Sequence, residues 1–136
     1  MVSIARYRRR DSLIYAAVLL SFAWNLLLLI GVVLNLEFVR TRAAGGQFTD
    51  FPTAVRIAYL FQTALVVYQV RILMMVLRKR KIAFEWLPRV FVVIGILGVM
   101  VNAISRSTDE RWNVIPGSII TWAFWYYGIK SKESGM

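Results

Sequence analysis

The polar side chains that could do chemistry in this chain are mainly amides, set at helical spacing inside long apolar segments. Ser21 and Asn25 lie four residues apart and share one helix face, as do Gln62 and Gln69, seven apart. Amides and hydroxyls donate and accept hydrogen bonds but are poor acids and bases, so their chemistry is binding. Two later segments carry similar stripes of small and polar residues, namely Gly95, Gly98, Asn102 and Ser105, and then Asn113, Gly117 and Thr121.

Two interpretations of these stripes stay open. An unpaired polar group in an apolar surrounding is costly, so the stripes either bond one helix to the next or line a polar cavity for a substrate or ion. Small residues let helices approach closely, which makes Gly95, Gly98 and Gly117 the candidate packing face. The interior polar candidates are Asn25, Gln62, Gln69, Arg71, Asn102 and Thr121.

Arg71 is the one charged residue that lies more than about a turn inside an apolar segment. It precedes Leu77, the end of that segment, by six residues, so its long side chain can reach back toward the lipid headgroups. Charges inside membranes also bind ions, anionic substrates or lipid phosphates. Both roles remain open for Arg71.

The densest polar stretch runs over residues 105–113 and contains an outer cluster of charged and polar side chains. Ser107 and Glu110 match the spacing of a capping box, in which two side chains satisfy backbone donors at a helix start. The alternative is an outward-facing polar site on the same residues. The members of this outer cluster are Arg106, Asp109, Glu110, Arg111 and Asn113.

The absence of two residue types narrows the chemistry further. The chain has no Cys and no His, which removes disulfides, thiolate nucleophiles and the usual ligands of zinc, copper and haem. The seven acidic residues avoid the middle of the apolar segments. We therefore expect no catalytic residue, no metal site and no cofactor.

Four long apolar segments must position these residues. A helix that crosses a bilayer needs ~20 mostly apolar residues, and residues 12–36, 54–77, 86–105 and 112–129 meet or approach that length. Too few residues remain for a second domain, so residues 1–136 form a single membrane domain. The sequence predicts an all-α, antiparallel four-helix transmembrane bundle with sequential helices as neighbours. The first helix is expected to be capped by Asp11 or Ser12.

The placement of positive charge predicts the threading. The net charge is +10. Arg and Lys at positions 6, 8, 9, 10, 78, 79, 80, 81, 130 and 132 fall at one end of such a bundle, whereas positions 40, 42, 56, 106 and 111 fall at the other. The positive-inside rule then predicts a plasma (inner) membrane protein with both termini cytoplasmic. The basic clusters suit anionic lipids at the cytoplasmic face and not nucleic acid, because stacking aromatics and nucleic-acid motifs do not accompany them.

The connection over residues 37–53 is the longest segment outside the predicted spans. Its Ala-Ala-Gly-Gly run at 43–46 is expected to be flexible. Phe48 and Phe51 are expected at the bilayer surface.

Three classes of function fit these patterns. The first is a non-catalytic accessory or assembly component that binds a larger membrane protein through helix–helix contacts. The second is a small oligomeric transporter or channel with a polar interior. The third is a lipid-modifying enzyme that uses Asp109, Glu110 and Arg111, and it has the fewest suitable residues.

Overall fold

The computed structural model describes the backbone of residues 2–133 and the side chains of residues 9–133, and this part of the chain is all helical, with no strand. Two helices are long and apolar enough to cross a bilayer, over Arg9–Val33 and Thr53–Leu77. The helices are α1 Val2–Val33, α2 Thr53–Leu77, α3 Leu87–Ala103, α4 Thr108–Arg111, α5 Val114–Trp125 and, after a π-helical turn at Tyr126–Lys130, α6 Ser131–Glu133.

The first helix is displaced from its predicted bounds of 12–36. It passes through Asp11 and Ser12 without a break, so the predicted cap there is wrong. It ends at Val33 because Asn35 adopts a left-handed conformation with φ 57°, which Asn tolerates better than most residues. The Leu36 N–H then donates to the carbonyl of Gly31 (2.8 Å) and closes the helix end.

The fourth predicted segment, 112–129, is divided between elements, and the third is shorter than 86–105. The one-turn helix α4 precedes α5, and the α-helical geometry gives way to a wider turn after Trp125. This turn brings the buried Gly128 against Pro88, where a Cβ atom on the glycine would lie 2.6 Å from the proline Cβ. Close contact between these two residues joins the last helix to the start of α3.

Aromatic packing holds the centre of the molecule. Phe124 on α5 is fully buried, and its ring lies 5.0 Å from that of Phe91 on α3 and 6.5 Å from that of Phe22 on α1. These three rings therefore join α1, α3 and α5 into one core.

The helices pack in the order α2, α1, α5, α3. Extensive contacts join α1 to α2, α1 to α5 and α3 to α5, but no comparable contact joins α2 to α3. The expectation that sequential helices are neighbours is met for α1 with α2 and for α3 with α5, and it is wrong for α2 with α3. A ring contact between Tyr68 and Phe91, at 6.2 Å, bridges the gap between them.

The connection between α1 and α2 folds back onto the end of α1. Val39 is fully buried and packs on Gly31, where a Cβ atom would lie 2.6 Å from Val39 Cγ1. Phe51 is also buried in this second small core, so its expected position at the bilayer surface is wrong. Its backbone N–H donates to the Asn35 side chain (3.0 Å), which fixes the chain direction into α2.

Candidate functional site

A cleft of about 290 Å³ lies among α1, α2, α3 and α5. Its exposed lining residues all belong to α2 and α3, whereas those from α1 and α5 are buried or half-buried. The cleft therefore opens sideways between α2 and α3, where the two helices do not pack. The exposed residues at this opening are Gln62, Leu65, Ile94 and Gly98.

Polar side chains from all four helices reach this cleft. They include five of the six interior candidates and also Asn113 and Glu110 from the outer cluster. Arg71 does not take part, since it is exposed on α2 outside the cleft. The predicted interior residues that line the cleft are Asn25, Gln62, Gln69, Asn102 and Thr121.

Four of the five amides in the cleft, all except Asn113, are not used to join the helices. Among the side chains that the structure describes, those of Asn25, Gln62, Gln69 and Asn102 form no hydrogen bond within the chain. Gln69 is the most enclosed, with 7% of its surface exposed. Hydrogen-bonded contact between helices thus does not account for these four residues, and their donors and acceptors face the cleft.

The glycine face predicted for helix packing has two different surroundings. A Cβ atom on Gly95 would collide with the side chain of Thr121, and one on Gly117 would lie 3.2 Å from Val99 Cγ2. These two glycines allow α3 and α5 to approach closely. Gly98 lies in the cleft, with no atom within 4 Å of its Cβ position.

Glu110 closes one end of the cleft and is the only buried acid among the described side chains. Its carboxylate accepts hydrogen bonds from the Gly45 backbone N–H (2.8 Å) and from the Ser105 hydroxyl. The Ser107 hydroxyl oxygen accepts from the Glu110 N–H (3.4 Å), as the capping box predicts. The reciprocal half of the box is absent, because the Glu110 side chain binds the α1–α2 connection instead.

The rest of the outer cluster holds that same connection in place. Asp109 accepts a hydrogen bond from Thr41 Oγ1 (2.7 Å), and Asn113 Nδ2 donates to the Arg42 carbonyl (3.2 Å). Trp24 Nε1 on α1 donates to Asn113 Oδ1 (3.1 Å). The run at 43–46, expected to be flexible, is bonded to α4 and α2, because the Gly45 N–H donates to Glu110 and the Ala44 N–H donates to the Tyr59 hydroxyl oxygen (3.2 Å). Arg111 Nε donates to the Ser105 carbonyl (2.7 Å), and Arg106 is exposed.

Two polar cleft residues, Tyr59 and Arg42, were not among the sequence candidates. Tyr59 precedes Gln62 by three residues, so the helical spacing of the amides was enough to find it. Arg42 lies on the α1–α2 connection, and no periodicity links it to the helix faces. Its position depends on how that connection folds.

No family model, curated protein or solved structure matches this chain. Function is therefore inferred from the chemistry of the cleft. Four unpaired amides, a hydroxyl and a phenol can hydrogen-bond the polar part of a ligand. Apolar side chains between them, such as Leu65, Phe91 and Ile94, can contact an apolar part.

Proposed function

We propose that this chain is a four-span antiparallel membrane bundle whose lateral cleft binds a small polar or amphipathic ligand for transport. Membrane insertion is supported by the exposed apolar surface, which includes Leu20 (70% exposed), Phe61 (74%) and Ile104 (81%). In the most apolar part of α2 only 22% of the residues are buried, unlike the core helix of a soluble protein. Soluble monomers rarely expose contiguous apolar surface on this scale.

The distribution of charge supports insertion in the plasma (inner) membrane with both termini in the cytoplasm. Lys132 forms an ion pair with Glu85 (3.4 Å), and Glu133 forms one with Arg89 (3.8 Å), so the C-terminal end lies beside the α2–α3 connection. That end also carries the basic run at 78–81. Retention of the basic end in the cytoplasm follows from the positive-inside rule.

Gln69 is the observation that carries the transport proposal. The residue is more than nine-tenths buried, its amide has no hydrogen-bond partner among the described residues, and the amide atoms keep accessible surface in the cleft. Closing such an amide off without a partner would cost roughly 1–3 kcal/mol. An amide at this position is explained if a ligand or solvent in the cleft forms its hydrogen bonds. The neighbouring amides can form further hydrogen bonds to the same molecule.

The cleft suits an uncharged or zwitterionic polar group attached to an apolar body. Amides from three helices provide donors and acceptors without a net charge. The charged cleft residues, Glu110 and Arg42, have opposite signs, and both are already bonded to the protein. The lateral opening between α2 and α3 would admit an amphipathic molecule directly from the bilayer.

An accessory or assembly component is the second candidate, and Arg71 favours it. This side chain is exposed on α2 and forms no ion pair or hydrogen bond within the described part of the chain. A larger membrane protein or a second copy of this chain could supply an acidic partner. The glycine face offers less support for this role than expected, because Gly95 and Gly117 are used in contacts between α3 and α5.

The lipid-modifying enzyme is the least supported class. Asp109 and Glu110 both accept hydrogen bonds that hold the α1–α2 connection. This structural use leaves no free acid–base pair beside Arg111.

Purification in lipid nanodiscs followed by mass spectrometry of retained small molecules tests the transport proposal. Wild type should retain a polar or amphipathic compound in near-stoichiometric amount, and Gly98→Leu should lose it because the new side chain fills the cleft. Ala103→Leu is the matched control, since Ala103 is exposed on α3 outside the cleft. Uptake of the identified compound into proteoliposomes should show the same ranking.

Equal retention by the Gly98→Leu variant, or no retained compound in wild type, would contradict the proposal. Recovery of a stoichiometric larger membrane protein in place of a small molecule would favour the accessory role. Loss of that partner on Arg71→Gln would then locate the contact on α2.

A further inference from the structure

A second, apolar slot of about 300 Å³ lies between α1 and α2, toward the end of α2 that carries Arg78. It is separate from the polar cleft, and its walls carry almost no polar atoms until they reach Arg78 at the end of α2. The apolar residues that line it are Val18, Leu19, Phe22, Val70, Leu73, Met74 and Leu77.

A polar cavity of about 420 Å³ adjoins this slot. The two share Tyr15, Leu77 and Tyr127 as walls. Arg10 and Lys79 line the polar cavity together with Asp11, whose carboxylate lies 3.9 Å from Arg10 Nε. An apolar slot therefore continues into a space bordered by cationic side chains.

Lys79 has an unusual backbone conformation at this junction. Its φ is 54°, in the left-handed region where Gly is the usual residue after a helix end. The turn is fixed by hydrogen bonds from Lys79 N–H to the Val76 carbonyl (3.0 Å) and from Arg80 N–H to the Met75 carbonyl (2.9 Å). Glycine would adopt this backbone conformation without strain, so the turn itself does not require the lysine side chain.

We propose that the slot and the adjoining cavity bind one anionic phospholipid. An acyl chain would lie in the slot between α1 and α2, and the phosphate would contact Lys79, Arg78 and Arg10. Charge complementarity selects an anionic headgroup, since cations outnumber the single carboxylate of Asp11 at this site. This inference rests on the proposed membrane location and is independent of the polar cleft.

Thermal unfolding in detergent, with added lipid as the probe, tests this site directly. Phosphatidylglycerol should raise the Tm of wild type in a concentration-dependent way, because a ligand that binds only the folded state stabilises it. Phosphatidylcholine with the same acyl chains, and inorganic phosphate at equal concentration, should not. The expected rise in Tm does not depend on whether the polar cleft retains a ligand.

Two matched pairs of variants locate the effect. Lys79→Gln should reduce the apparent affinity for phosphatidylglycerol by about tenfold, whereas Lys81→Gln, which removes a charge outside both cavities, should not. Leu19→Trp should block the slot, whereas Leu20→Trp, outside it, should not. Lys79→Gly should lose the lipid effect yet show a higher Tm without lipid, because the left-handed backbone suits glycine.

The proposal is overturned if phosphatidylcholine is as effective as phosphatidylglycerol, since charge is then not recognised. It is also overturned if inorganic phosphate alone reproduces the shift, or if Lys79→Gln and Lys81→Gln behave alike. Should Lys79→Gln fail to fold, Lys79→Gly supplies the same comparison without the backbone strain.

Discussion

The side chain of Thr121 on α5 occupies the space in which a Cβ atom on Gly95 would lie. The backbone of α3 can therefore approach α5 closely at this level only because residue 95 has no side chain. About one turn further along α3, the Cβ position of Gly98 faces the cleft with no atom within 4 Å. Two glycines on one helix face thus have opposite roles, one in packing and one in leaving space.

Substitution of these two glycines by alanine should change stability in opposite directions. Gly95→Ala should lower the free energy of unfolding by about 1–3 kcal/mol, because the core between α3 and α5 is overpacked. Gly98→Ala should be neutral or raise it by up to about 1 kcal/mol, since Ala is the better helix former and meets open space. Thermal unfolding of both purified variants in one detergent provides the measurement. Equal losses of stability would be inconsistent with the described packing.

Replacement of Gln69 distinguishes a ligand-binding amide from one that joins helices. Gln69→Leu should leave the free energy of unfolding of the ligand-free protein unchanged to within about 1 kcal/mol, because no hydrogen bond within the described part of the chain is lost and the amide faces the cleft. The same variant should lose the retained ligand. Thermal unfolding and mass spectrometry on the same preparation measure both effects. Destabilisation of the ligand-free variant would instead indicate that the amide bonds a neighbouring helix.

Asn113 is the matched control for Gln69, because its amide does form hydrogen bonds within the chain. Its amide bonds both Trp24 on α1 and the carbonyl of Arg42. Asn113→Leu should therefore lower the free energy of unfolding by about 1–3 kcal/mol, as two partners lose their hydrogen bonds. A stabilising effect of Asn113→Leu would contradict these contacts.

The sequence was sufficient to predict the helical class and the polar faces, because both follow from local spacing. The stripe that contains Gln62 and Gln69 does face Asn102 and Thr121 across one cleft. The position of Arg42 could not be predicted, because it depends on bonds between residues about 65–70 positions apart, such as that from Gly45 to Glu110. The gap between α2 and α3 was also missed, since hydropathy does not fix which helices pack together.

Removal of the Glu110 side chain should release the α1–α2 connection. Glu110→Ala leaves the Gly45 N–H without its acceptor, so the free energy of unfolding should fall by about 2 kcal/mol. Trypsin should then cut after Arg40 and Arg42, which lie in this connection. Asp109→Ala is the control, because Asp109 is exposed and its one bond, to Thr41, contributes less. Resistance of Glu110→Ala to trypsin would show that other contacts suffice to hold the connection.

The absence of cysteine makes the proposed topology easy to test with single-cysteine variants. Thr49 lies in the α1–α2 connection and Lys132 lies near the C-terminal end, and both side chains are exposed. The two variants are Thr49→Cys and Lys132→Cys. A membrane-impermeant maleimide applied to intact cells should label Thr49→Cys only, and both after permeabilisation. Labelling of both variants in intact cells would contradict the four-span arrangement with cytoplasmic termini.

The measurement that most directly tests the account is the reactivity of Gln62→Cys and Phe61→Cys in native membranes. The two positions are adjacent on α2 and lie at nearly the same depth, but Gln62 lines the cleft whereas Phe61 is 74% exposed on the outer surface. A small membrane-permeant maleimide should label Gln62→Cys at least about tenfold faster, because a thiolate forms far more readily in a polar cleft than in lipid. A second substitution, Gly98→Leu, in the Gln62→Cys variant should slow that reaction. Equal rates at the two positions, or no reaction at Gln62→Cys, would contradict a polar cleft between α2 and α3.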